Sequence, residues 1–228
     1  MSNLKPFFEK WASQYLSQSE MRQAPPEKIG RAMKRMFRMA AHQDIEVGPA
    51  FQLTRLIREQ PDRPLWALCG TVCRFYADVL MTYGYSVELI SLWFSSKPNQ
   101  HAGHVAVRFA GPGYPDFAFF DPLYGAALVD KNQKWVGLKE IMLNLDTGAP
   151  ELDMLELEPY VPSKSGYENV NNHDYSSVFP KFFNAIVTRD LSSQRMVVHI
   201  RDSQKCHPLA VREYFRKEGK DVTVFVQF

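Results

Sequence analysis

The run WALCGTVCRFYADVLMTYGYSVELISL, Trp66 to Leu92, commits the middle of the chain to a helix followed at once by a strand. Val72, Phe75, Tyr76, Val79, Leu80 and Tyr83 recur at helical spacing, so one face of the segment is apolar and must pack. Gly84 is the residue type that ends such a helix, because it accepts positive φ. YSVELISL then reads as a strand, with Tyr85, Val87 and Leu89 on one face. Cys69 opens the helix, where unpaired backbone N–H groups and the positive end of the dipole favour a thiolate.

Two later segments supply partners for that cysteine. His104 leads the alternating strand HVAVRF, and Asp121 closes the aromatic strand FAFFDP. A nucleophilic thiol needs a base within hydrogen-bond reach, and the base needs an acceptor that holds it in one tautomer. The three residues meet if the two strands pack against the start of the helix. Cys73 competes with Cys69, but it stands one turn inside the helix and reads as a small apolar filler. His101 belongs to the loop 95–101. Asp116 and Asp130 compete with Asp121, which ends the aromatic strand; Asp121-Pro122 is also an ordinary turn pair.

The segments CGTVCRFYADVLMTYGYSV, GHVAVRF and FFDPLYG, in that order, resemble the transglutaminase-like superfamily of cysteine acyl-transfer enzymes, within the wider papain-like group. The likeness spans about residues 65–125, and the interval from Cys69 to Gly84 fits the family step better than that from Cys73. It implies an α+β fold with a papain-like or transglutaminase-like core: a nucleophile-bearing helix packed on an antiparallel sheet, here behind a helical N-terminal region. It also implies cofactor-free acyl transfer on a protein or peptide-like amide, through Cys69, His104, Asp121 and a thioester. Peptidase, amidase, glutamine deamidase and cross-linking activities are implied alike. The chain departs from papain-like proteases in having no glutamine between Pro61 and Cys69. It departs from arylamine acetyltransferases in lacking an arginine-rich approach to the cysteine, which follows Leu68 directly. The Cys69 N–H is the natural first oxyanion donor, and Gln60, Trp66 and Tyr124 are the side-chain candidates for a second.

A chain of 228 residues is long enough for one sizeable core. The expected division is a helical region over 1–60, the catalytic core over 61–147, and a surface segment with a C-terminal α/β extension of the same domain over 148–228. Helices are expected over residues 4–15, 27–42 and 50–58. The second carries Lys28, Arg31, Lys34, Arg35 and Arg38 on a basic face, read as solvated or as a docking surface for an acidic partner. Gln60 to Pro64 reads as a loop that delivers the chain to Cys69. Farther on, 138–145 reads as a short helix, 148–172 as a surface flap, and 178–187 as a helical stripe. Residues 196–200, 208–217 and 222–228 read as strand, helix and strand, which either extend the main sheet or form a small lobe.

Charge and composition exclude several classes. A net charge of +2, from 27 basic and 25 acidic residues, argues against nucleic-acid binding. No apolar run approaches the roughly 20 residues of a membrane helix. The start MSNLKPFFEKW lacks the apolar core of a signal peptide, and an odd three cysteines make no disulfide framework. A reducing, cytoplasmic location is expected; export without a cleaved signal reads the same. No metal site is expected, since CxxC pairs are absent, and no glycine-rich phosphate loop follows a strand. The rival to an enzyme is a non-catalytic protein-binding module on a transglutaminase-like fold, gripping a partner with the basic helix and the 148–172 segment. A structural role in an assembly is the third reading.

Overall fold

The computed structural model describes residues 4–23, 26–39, 65–93, 103–130, 132–137, 151–154, 185–191, 193–200, 203 and 206–226. The fold is mixed α and β, consistent with α+β. No helix among the described residues is long and apolar enough to cross a membrane. The expected helices over 50–58 and 138–145 and the loops 60–64 and 95–101 lie wholly or almost wholly outside the described residues.

Three short helices come first: α1 (Leu4–Ala12), α2 (Gln18–Gln23) and α3 (Pro26–Met36). Phe8 and Trp11 of α1 and Ile29, Met33 and Met36 of α3 are buried. Pro26 is the first residue of α3, where its missing N–H breaks no helical bond. The helix expected over 27–42 stops at Met36, because Phe37–Met39 is strand β1. It pairs in parallel with β2 (Leu65–Ala67), a long-range partner that local periodicity cannot reveal.

Strand β2 leads through Leu68 into α4 (Cys69–Thr82). Its apolar stripe is covered up to the last turn: Val72, Phe75, Tyr76, Val79 and Leu80 have 0% exposure, and Tyr83 is half-buried. Phe8 and Phe37 meet Phe75 edge-on at 6.5 and 5.7 Å, and the Tyr76 hydroxyl donates to the Pro26 carbonyl at 3.0 Å. The N-terminal helices therefore clamp α4. After Tyr83, Gly84 takes φ +87, so the helix ends where a residue without Cβ permits the reversal.

The sheet is larger than the small antiparallel one expected. It contains β3 (Ser86–Trp93), β4 (Gly103–Gly111), β5 (Tyr114–Asp121), β6 (Ala126–Val129), β7 (Glu151–Met154), β8 (Ala185–Asp190), β9 (Met196–Ile200) and β10 (Val222–Val226). Among the described residues the order is β10-β9-β8-β3-β4-β5-β6-β7. Neighbours run antiparallel except β9 and β10, which are parallel and joined through α5 (Pro208–Lys217). The strand–helix–strand ending thus continues the main sheet.

Two expectations for the second half are corrected. Within the expected flap, Glu151–Met154 is strand β7, paired to β6. At the end of the expected helical stripe over 178–187, Ala185–Asp190 is strand β8, held between β3 and β9. Ile186, Val187 and Thr188 are β-branched and buried, and two flanking strands outweigh the local spacing. Helix α5 packs Val211 and Phe215 against Val187, Val198, Ile200 and Cys206, whereas Leu209 is 67% exposed.

Gly30, in the middle of α3, shows how closely helix and sheet approach. A Cβ there would lie 2.4 Å from the Phe120 ring, which itself stacks on Trp135.

Candidate active site

Cys69 is the first residue of α4, and Leu68 at the N-cap offers no side-chain acceptor to the helix N-terminus. The N-terminal N–H groups and the dipole therefore favour an anion at this end, where Cys69 is the first helical residue. Cys69 is half-buried, while His104 is 5% and Asp121 0% exposed. The cysteine residue thus keeps some exposure, and its two partners are sealed.

His104 follows Gly103 at the start of β4, opposite Leu92 of β3. Asp121 is the last residue of β5. His104 Nε2–H donates to Asp121 Oδ2 at 2.5 Å. With Nε2 so engaged, Nδ1 is the nitrogen left for the hydrogen bond between His104 and the Cys69 sulfur. The second carboxylate oxygen, Oδ1, accepts from Leu123 N–H at 3.0 Å and Tyr124 N–H at 3.2 Å. The Gly125 N–H bonds the Asp121 carbonyl at 2.7 Å. A turn just after the strand therefore holds the carboxylate in place.

The electrostatics follow. Burial pushes the Cys69 thiol up, but the hydrogen bond and charge of His104 and the Val105 N–H outweigh it, and the thiol ends below its ordinary value. Burial pushes the His104 imidazole down, but the charge and hydrogen bond of Asp121, helped by Cys69, raise it to about 10. The arrangement favours a thiolate–imidazolium pair.

Cys73 is fully buried and donates its S–H to the Val105 carbonyl at 3.0 Å. Burial, then the charges of Asp121 and Cys69, hold its thiol well above the ordinary range. The two cysteines thus bond the two polar groups of one residue: the Val105 N–H faces Cys69, and its carbonyl takes the Cys73 proton.

Of the candidate oxyanion side chains, Gln60 lies outside the described residues. Trp66 lies in β2 opposite Arg38, and its side chain is outside the described set. Tyr124 is buried with its ring edge-to-face on His104, centroids 5.3 Å apart, so it packs the imidazole. His101 lies outside the described residues, and Asp116 is exposed. Asp130 caps its own turn by accepting from Asn132 N–H and Lys134 N–H.

The sequence reading missed two groups. One is the Val105 N–H, which carries no residue signature. The other is Lys34, expected on a basic solvated face. Its side chain is 8% exposed, and its ammonium donates to the Leu123 carbonyl at 2.8 Å. Helical spacing assigned Lys34 a face, but the turn after Asp121 covers Lys34 itself. A cleft of about 640 Å³ at the other end of β4, lined by Glu27, Tyr85, Tyr114 and Trp135 among others, includes none of the three site residues.

Among known proteins, no family model, no curated sequence and no solved structure matches this chain.

Proposed function

We propose that the chain is a cysteine-dependent acyl-transfer enzyme of transglutaminase-like type, acting on an amide bond of a protein or peptide-like substrate. The observation that carries the reading is the continuous hydrogen-bonded line from half-buried Cys69 through His104 to fully buried Asp121. A structural cysteine has no need of a charged base, and a core histidine has no need of both a carboxylate and a thiol.

The Cys69 thiolate attacks the amide carbonyl carbon. The carbon–oxygen π pair moves to oxygen, and the oxyanion is held by the Cys69 N–H at the start of α4. His104, as imidazolium, gives its Nδ1 proton to the departing nitrogen; the carbon–nitrogen bond breaks and a thioester remains. Water or an amine then attacks the thioester, His104 takes its proton, and the thiolate leaves. Asp121 keeps Nε2 protonated throughout, so Nδ1 always faces the sulfur. General acid–base help of this kind supplies roughly 10²–10⁴-fold.

The test is the iodoacetamide alkylation rate against pH, resolved by peptide mass spectrometry, on wild type and His104→Ala. Cys69 should label far faster than buried Cys73 and Cys206 at pH 6, and His104→Ala should lose that advantage. If Cys69 shows no excess reactivity at low pH and the variant changes nothing, the binding-module reading replaces the enzyme.

A further inference from the structure

We propose that Lys34 is a positioning residue for the His104–Asp121 pair, acting through a single peptide unit; its catalytic meaning rests on the acyl-transfer reading above. Lys34 stands on α3, far along the chain from the site, and its ammonium crosses to the turn between β5 and β6. Burying an ammonium is unfavourable unless its protons are bonded, so this contact is an engaged one. The acceptor is the carbonyl of Leu123. That carbonyl shares its peptide unit with the Tyr124 N–H, and the Tyr124 N–H donates to Asp121 Oδ1. The line therefore runs from the ammonium through one amide to one carboxylate oxygen, and from the other carboxylate oxygen to His104 Nε2.

A cation on the carbonyl side of an amide polarises the amide and makes its N–H a better donor. It also sets the position of that N–H. The Tyr124 side chain reinforces the arrangement, with its ring centroid 6.0 Å from the Lys34 ammonium and 5.3 Å from that of the imidazole. If the turn shifts, Oδ1 follows it, and Oδ2 swings with respect to His104. Asp121, Cys69 and the Tyr124 ring are among the groups that face His104, with Lys34 behind them.

The experiment uses Lys34→Met, which keeps the stem volume and removes the donor. Three quantities are read on the full chain: the low-field proton resonance of the His104–Asp121 hydrogen bond, the pH inflection of Cys69 alkylation, and the melting temperature. The expected result is loss or an upfield move of the resonance, with a fall on the order of tenfold in Cys69 alkylation at pH 6. Lys34→Gln, which stays polar but falls short of Leu123, is read the same way if Lys34→Met does not fold. A folded variant that melts lower yet keeps the resonance and the inflection overturns the proposal, because Lys34 then only holds the fold together. If wild-type Cys69 is itself unreactive at pH 6, the acyl-transfer reading fails, and the His104 resonance still decides for or against Lys34.

Discussion

Asp121→Asn tests the electrostatic core of the site with almost no change in shape. The asparagine oxygen can still accept the Leu123 and Tyr124 N–H groups that Oδ1 accepts now, so the turn survives. Its amide nitrogen then faces His104 Nε2, donor against donor. His104 must either lose the bond or become neutral, with Nε2 as acceptor. Without the Asp121 charge, burial is the dominant influence, and the imidazole drops from about 10 to below its ordinary 6.5. At pH 7 it is neutral, and Cys69 loses the cation that offsets its own burial. Burial then raises the thiol, and the thiolate population at pH 7 falls. A more basic thiolate is intrinsically more nucleophilic, which returns only part of that loss. The alkylation rate of Cys69 at pH 7 should therefore fall by roughly 10- to 100-fold, with the inflection moved to higher pH, as read by iodoacetamide labelling and peptide mass spectrometry. Circular dichroism checks that the variant is folded. If folded Asp121→Asn labels Cys69 at the wild-type rate with an unmoved inflection, the carboxylate does not govern the thiol, and the reasoning fails.

Three more outcomes are expected. Gly30→Ala drives a methyl to 2.4 Å from the Phe120 ring and should lower stability by about 1–3 kcal/mol in chemical denaturation. Gly70→Ala has room, with Val105 Cγ2 at 3.9 Å, and should gain roughly 0.5–1 kcal/mol in the same assay; a loss of turnover with that gain would mark the path of the substrate over α4. The pH dependence of melting should differ between wild type and Cys69→Ala. The raised His104 contributes stability that is full below 6.5 and lost as pH rises through about 10, while the lowered Cys69 contributes stability present above 9.0 and lost as pH falls. Between about 6.5 and 9.0 the two trends run in opposite directions in wild type and offset one another. Cys69→Ala removes one of them and should melt progressively lower from pH 6.5 upward; a curve parallel to wild type would refute the ion pair.

The elements that carry the site were legible because each is written locally. The α4 stripe, the stop at Gly84, the alternation after His104 and the aromatic run to Asp121 are short-range patterns, and the backbone follows them. The ending 196–226 was legible as strand, helix and strand for the same reason, though not its place beside β8. Elements misread or unseen were those whose conformation depends on a distant partner. Phe37–Met39 is a strand because Leu65–Ala67 lies beside it, and Glu151–Met154 because β6 does. Ala185–Asp190 has helix-like spacing upstream but two strand neighbours.

By itself, then, the sequence determined which residues can do chemistry and on which kind of element each stands, since periodicity and capping are properties of a few adjacent residues. Only the tertiary structure decided what each of those residues touches. It sealed Asp121 and left Cys69 half-open, set the Val105 N–H on the sulfur, and turned Lys34 from a surface charge into a buried donor. Those outcomes depend on backbone groups and on segments far apart in the chain, and a backbone N–H or carbonyl is the same group at every position until the fold gives it a neighbour.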